Sequence, residues 1–226
     1  MPAYAEFIRK IPLFMDLSPE ETESLGQLTI VRKYRKNMIV FMEGEPGEAL
    51  YFLLSGKVKI SKLSSDGREQ ILHILQAGDI FAEVVLIDRG VYPATAEVIE
   101  EAQVAMLRND DVENLIRSNP DIALKILKVM SKRLRQAQMQ VRDLALKDTY
   151  GRLASMLLIL ARDHGCPCEG GTKIDLSLSR QELANLIGTS RETVTRILSD
   201  LKRSKVIDID KQEIVIIDEQ KLKSWM

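Results

Sequence analysis

The 226-residue chain balances 32 Lys/Arg against 33 Asp/Glu, with 45% hydrophobic and 29% charged residues. That composition describes a soluble globular protein, and no stretch of 18 apolar residues offers a membrane span. The N-terminus MPAYAEFIRKIPLF lacks a signal-peptide pattern and the chain has only two cysteines, so a reducing, cytoplasmic setting is expected. The near-zero net charge hides an asymmetry. Basic against acidic residues number 13 and 20 in residues 1–121, 7 and 1 in 122–147, and 12 and 12 in 148–226. An acidic first half with basic charge further along suits a protein that touches nucleic acid with part of its surface.

Residues 4–28 read as short helices with an apolar group at Phe7, Ile8, Ile11, Leu13 and Phe14. Ser18-Pro19-Glu20-Glu21 supplies an N-cap, a proline at the first helical position and acidic residues in the first turn. From Thr29 to about Arg108 the texture changes to β-rich runs: TIVRKY, NMIVFM, ALYFLLSG, KVKISKL, EQILHIL, TAEVI and AQVAML. Asp66-Gly67 between two of them is a hairpin signal. Seven or eight evenly spaced strands predict a β-sandwich or jelly roll, a fold that can enclose a small ligand. His73 alone cannot make a histidine-rich metal site, which excludes a metal-dependent oxygenase or isomerase on this barrel. The stretch DIFAEVVLIDRGVYPATAEV is its least regular part, and Glu83 set amid apolar residues there is a candidate to orient a polar small molecule.

A short helix to Ser118 is followed at Asn119-Pro120 by a long one to about Leu146. Its apolar positions Ala123, Leu127, Met130, Leu134, Ala137, Val141 and Leu144 keep a strict seven-residue repeat, flanked by Lys125, Lys128, Lys132, Arg133 and Arg142. So narrow a seam predicts a partner helix and a symmetric homodimer. His164, Cys166 and Cys168 then fall in a loop read as a turn. They amount to three soft ligands where zinc or iron–sulfur sites normally use four, so no metal is assigned, and the two thiols stand as an alternative redox sensor.

The stretch LSRQELANLIGTSRETVTRILSDLKR carries the most specific chemistry. Ser179 and Glu182 have capping-box spacing, and Leu183, Ala184, Leu186 and Ile187 share one side. Gly188 supplies a sharp turn. A second helix is expected to open at Thr189 with Glu192 three residues on, and repeats Val194, Ile197, Leu198 and Leu201 at i, i+3, i+4, i+7. Helix, glycine turn, helix outlines a DNA-binding helix-turn-helix, whose exposed face offers Ser190, Arg191, Glu192, Thr195 and Arg196, with Arg180 at the start of the first helix. Arginine can bond guanine bidentately and glutamate can accept from cytosine. VIDIDKQEIVIID alternates about a turn near Asp210-Lys211, as the hairpin of a winged helix would. No nucleophile–base pair has plausible spacing, so an enzyme is not expected.

In this order, GEALYFLLSGKVKI, DIFAEVVL, LKDTYGRLA and RQELANLIGTSRETVTRIL resemble the CRP/FNR family of homodimeric bacterial transcription regulators over nearly the whole chain. The resemblance implies an α+β protein of three parts. These are a cyclic-nucleotide-binding-like jelly roll over 1–121, a dimerisation helix over 122–147 with Leu127, Met130, Leu134, Ala137, Val141 and Leu144 in its seam, and a winged helix-turn-helix over 148–226. It places the base-reading residues at Arg191, Glu192 and Arg196 on a TGTGA-like palindrome, and a hinge near Lys147-Asp148. It also implies double-stranded DNA and RNA polymerase as partners, in an activator.

The effector site departs from the cyclic-nucleotide pattern. The glycine–glutamate pair is Ala82-Glu83 here. Pro93 and Ala94 stand where an arginine and a serine or threonine hold the phosphate, with Thr95 next, and the adenine contacts map to Ala137 and Gln138. A charge-assisted bidentate clamp is replaced by nothing, so the expected effector is an unknown small molecule other than cyclic AMP. The iron–sulfur branch needs an N-terminal cysteine cluster, and no cysteine precedes Cys166. The haem branch needs cysteine and histidine ligands that Phe81-Ala82-Glu83-Val84 lacks. A regulatory module within a signalling complex, as cyclic-nucleotide domains serve kinases, is the remaining alternative.

Overall fold

A computed structural model of the chain describes residue 11 and residues 13–226. Phe7 and Ile8 of the N-terminal apolar group lie outside the described residues. The rest begins with α1 (Pro19–Leu28), whose Ser18 cap is a complete capping box. Ser18 Oγ accepts from the Glu21 backbone N–H at 3.1 Å, and the Glu21 carboxylate accepts from the Ser18 N–H at 2.8 Å. Six strands follow: β1 (Ile30–Tyr34), β2 (Ile39–Phe41), β3 (Ala49–Leu63), β4 (Glu69–Gln76), β5 (Ile80–Phe81) and β6 (Thr95–Arg108), with the short helix α2 (Glu83–Asp88) before β6. They form one sheet in the order β1-β6-β3-β4, β2 pairing with β6 and β5 with β3.

Two pairs of runs that read as separate strands are single strands. ALYFLLSG and KVKISKL join as β3, and TAEVI and AQVAML join as β6. The reason lies at Gly56, which bends β3 without ending it. Gly56 has φ +81, and a Cβ there would meet the Glu101 carbonyl oxygen at 2.2 Å, so glycine alone lets β6 run alongside. The β3–β6 register shifts beside it, as a bulge requires. The supposed irregular crossover after β5 contains a helix, because Glu83 to Asp88 turns Val85 and Leu86 inward while Val84 and Ile87 stay exposed.

The chain divides into two compact units, residues 1–62 with 71–134, and 63–70 with 135–226. The first has two buried clusters. One gathers Phe14, Leu50, Phe52, Leu107, Ile122 and Ile126. The other is aromatic, with Phe41 stacked on Tyr92 at 4.0 Å and Tyr51 on Phe81 at 5.3 Å. After α3 (Asn109–Ser118) comes the long α4 (Asp121–Leu146), which continues from the first unit into the second and so does not form a unit of its own.

The second unit adds α5 (Thr149–His164), β7 (Gly165–Cys168), β8 (Gly171–Ile174), α6 (Arg180–Ile187), α7 (Arg191–Arg203), β9 (Ile207–Asp210), β10 (Glu213–Ile216) and α8 (Glu219–Lys223). Its antiparallel sheet runs β7-β8-β10-β9, and the β9–β10 hairpin is the wing. The segment 164–172, read as a loop, is largely the β7–β8 hairpin. Gly170 and Gly171 both take positive φ at its turn and allow the tight reversal. No described helix is long and apolar enough to cross a membrane.

Candidate nucleic-acid interface and effector site

Helices α6 and α7 are set by their caps and by one shared core. Ser179 Oγ accepts from the Glu182 N–H at 3.2 Å while Glu182 accepts from the Ser179 N–H at 2.7 Å, the expected capping box. Gly188 closes α6 in the left-handed region at φ +65, where a Cβ would be strained, and its N–H returns to the Ala184 carbonyl. α7 corrects the reading by one residue. Its N-cap is Ser190, whose Oγ accepts from the Thr193 N–H at 3.2 Å, and neither Thr189 nor a box with Glu192 caps it. Glu192 is therefore the second helical residue. Hydrogen bonds from its own backbone N–H and from Ser190 hold its carboxyl below the usual carboxylate range, so it stays ionised.

Behind that face, Leu183, Ala184, Val194, Ile197, Leu198 and Leu201 are all buried, and α5, whose Leu153 and Leu157 are buried too, lies against both helices. A second anchor fixes the C-terminal half of α7, where Tyr150 of α5 donates to the Asp200 carboxylate at 2.7 Å while its ring stacks on Trp225. With one face locked, Ser190, Arg191, Glu192, Thr195 and Arg196 all project exposed from the first two turns. Arg180, at the start of α6, is half-buried, and burial lowers its pKa. The arrangement places two guanidiniums and a carboxylate on the end of a rigid helix, with donors and acceptors suited to base edges.

The β-unit site is built differently. Glu83 is 3% exposed at the start of α2, and its partner is Arg133, which reaches from α4 to donate to the Glu83 carboxylate and to the Ile80 carbonyl. His73 of β4 lies in the same field. Burial, and secondly the Arg133 charge, push its pKa down to about 4, so it is neutral near pH 7. Ala82, in the place of the family glycine, sits at φ +63, a backbone region that costs a non-glycine residue about 1–2 kcal/mol. Ala94 is buried, Pro93 is exposed, and the Thr95 hydroxyl accepts from the Glu43 N–H at 3.0 Å. Ala137 and Gln138 are exposed on the part of α4 that belongs to the second unit.

Sequence reasoning missed Arg133 as a member of this site and placed it among solvated flanks of the heptad seam. Its 50-residue separation from Glu83 left no local signal. Arg89, nearer in sequence to Pro93, is instead tied to Asp110 at 2.9 Å and to Glu113. Along α4 the seam residues Leu127, Leu134, Val141 and Leu144 are 55–67% exposed, whereas Met130 packs partly against the chain's own core. Cys166 and Cys168 are exposed on β7, and no group of three or more His, Cys, Asp or Glu able to hold a metal is found among the described residues.

Comparison with known proteins identifies both parts. Residues 31–119 match the cyclic nucleotide-binding domain and residues 151–225 match the Crp-like helix-turn-helix domain. A CRP-like cAMP-activated global transcriptional regulator of Mycobacterium tuberculosis is 32% identical over 96% of this chain and 97% of its own. The chain belongs to the CRP/FNR family of transcription regulators. A global nitrogen regulator of Nostoc sp. is 38% identical over 83% of this chain and 85% of that protein. Among solved structures, FixK2 from Bradyrhizobium japonicum superposes with a TM-score of 0.78 at 28% identity, covering 87% of this chain and 96% of that one. The c-di-GMP responsive regulator CLP of Xanthomonas campestris gives 0.76 at 26% identity, covering 88% and 99%. This family member thus joins a sensor-type β domain to a DNA-binding helix-turn-helix, the pairing of an effector-controlled transcription regulator.

Proposed function

We propose that the protein is a homodimeric regulator that reads a TGTGA-like palindrome through Arg191, Glu192 and Arg196. In this reading a small polar effector other than cyclic AMP, held in the β unit at Glu83, controls it. The observation that carries it is the exposed, pre-set face of α7, with two arginines and an ionised glutamate in its first two turns and its opposite side fully buried. Homodimerisation is supported by the stripe of exposed leucine and valine along α4, an apolar face a soluble chain covers with a like helix.

The effector reading rests on Glu83. A carboxylate only 3% exposed and held by a guanidinium must be matched by any ligand that displaces that partner, which selects a polar molecule carrying its own donors or charge. Relatives are named for cAMP activation and for c-di-GMP responsiveness, two cyclic nucleotides of different size, so effector identity varies among relatives. Pro93, which has neither charge nor a backbone N–H, disfavours a phosphate-bearing one.

Fluorescence anisotropy on a palindromic TGTGA duplex against a scrambled duplex tests the reading, at one fixed salt because phosphate contacts make affinity salt-dependent. Sequence-selective binding without cyclic nucleotide is expected. Selectivity that emerges only with cyclic AMP would overturn the effector assignment, and equal affinity for both duplexes the half-site assignment.

A further inference from the structure

The second unit contains a cavity of about 400 Å³ that the DNA-reading face does not use. The last turns of α4, the outer side of α5 and strand β10 line it on one side and it opens to solvent on the other, with Met139, Leu158, Ile159 and Ile216 as apolar wall. One polar cluster opens onto it. Lys147, 12% exposed, donates to the Asp143 carboxylate at 2.9 Å and to the hydroxyl of buried Ser155. An ammonium has three donors, and the third has no partner among the described residues. Arg142 and Arg162 also line the cavity, both more than half exposed. Arg162 is paired with Asp163 at 2.9 Å and Glu219 with Lys223 at 2.7 Å, whereas Lys147 and Arg142 share the single carboxylate of Asp143, leaving one positive charge over in that group.

We propose that this cavity is a second small-molecule site, distinct from the one at Glu83, that takes an amphipathic organic monoanion with a carboxylate head and an aliphatic tail. The head accepts from the spare Lys147 donor and the tail lies along Leu158, Ile159 and Ile216. Volume and lining match what such sites need, since pockets of roughly 300–1,000 Å³ with apolar walls and a few placed polar groups hold ligands of this size. A second copy of the chain is not the occupant. Met139 and Asp143 lie on the flank of α4 turned away from the exposed Leu134–Val141 stripe, at about 100° per residue. A bound tail touches α4, α5 and β10 together and so braces the end of the long helix against the frame that carries α7.

Sodium decanoate is the probe, titrated below its micellar concentration into the full-length protein. Isothermal calorimetry reads binding, and so does the fluorescence of the sole tryptophan, Trp225, which adjoins the cavity residue Met226. Saturable binding of one decanoate per chain is expected. Lys147→Met, which keeps the bulk and removes the charge, and Ala161→Phe, which fills the space, should each weaken it at least about tenfold, while Lys147→Arg restores it. 1-Decanol should bind at least about tenfold more weakly than decanoate. Absence of decanoate binding, binding by either weakening variant as tight as the parent's, or equal affinity for the alcohol each overturns the proposal. None of these bears on the DNA-reading residues, which the duplex experiment tests separately.

Discussion

The reading face of α7 and the site around Glu83 solve opposite problems. The first is built by a single helix whose apolar side is buried, so its functional side chains are exposed, individually placed and free to be changed without disturbing the core. The second gathers residues from β4, β5, α2 and α4 around one buried carboxylate, so its functional groups are also structural groups. The difference teaches that an exposed helix face can be altered at a cost to affinity alone, whereas the buried group around Glu83 cannot be altered without a cost to the fold.

The variant that breaks most is Leu134→Glu. It places charge in the exposed seam of α4 and should give monomers in sedimentation. With half-sites no longer read together, DNA affinity should fall by on the order of a hundredfold or more. An intact dimer would refute the seam.

Next in size is Arg133→Met, which leaves the Glu83 carboxylate buried without its partner and should cost roughly 3–5 kcal/mol in urea unfolding. Glu83→Gln combined with Arg133→Met should recover most of that. The same site carries a pH signature. His73 has its pKa depressed from 6.5 to about 4, so the unfolded chain binds the proton more readily. Its contribution to stability is complete above about pH 6.5 and is lost as the pH falls toward 4, and His73→Phe should flatten that part of the stability–pH curve.

On the reading face the readout changes from stability to affinity. Arg191→Ala should cost roughly 1–3 kcal/mol in binding to the palindrome and relax the preference at one base position. Its melting should stay within about 0.5 kcal/mol of the parent, as exposed substitutions do. Smallest is Ser179→Ala, which removes the α6 cap and should cost about 1 kcal/mol in unfolding, with no change of half-site preference. If Arg191→Ala destabilised the fold as much as Arg133→Met, the contrast between the two regions would fail.

The helix-turn-helix was legible because its signals are local. The apolar period, the Ser179 box and the glycine turn all sit within 25 residues, and only the cap of α7 was misplaced, by one position from Thr189 to Ser190. There two neighbouring residues are both good caps, and backbone geometry chooses between them. The strands were found but cut too finely, because Gly56 reads as punctuation when it is in fact a close approach of β3 to β6. That Pro93 and Ala94 offer neither a charge nor a side-chain hydroxyl could be read directly, since that is a statement about residue identity.

Residue order and period by themselves determined the succession of β domain, long helix and winged helix, the exposed chemistry of α7 and the unpartnered stripe of α4. Period and caps act over a few residues, within reach of one turn of chain. The pairing of Glu83 with Arg133, and the cavity beside Lys147, were decided only in three dimensions. Both depend on side chains from segments far apart in sequence meeting at buried points, and no local pattern encodes such a meeting.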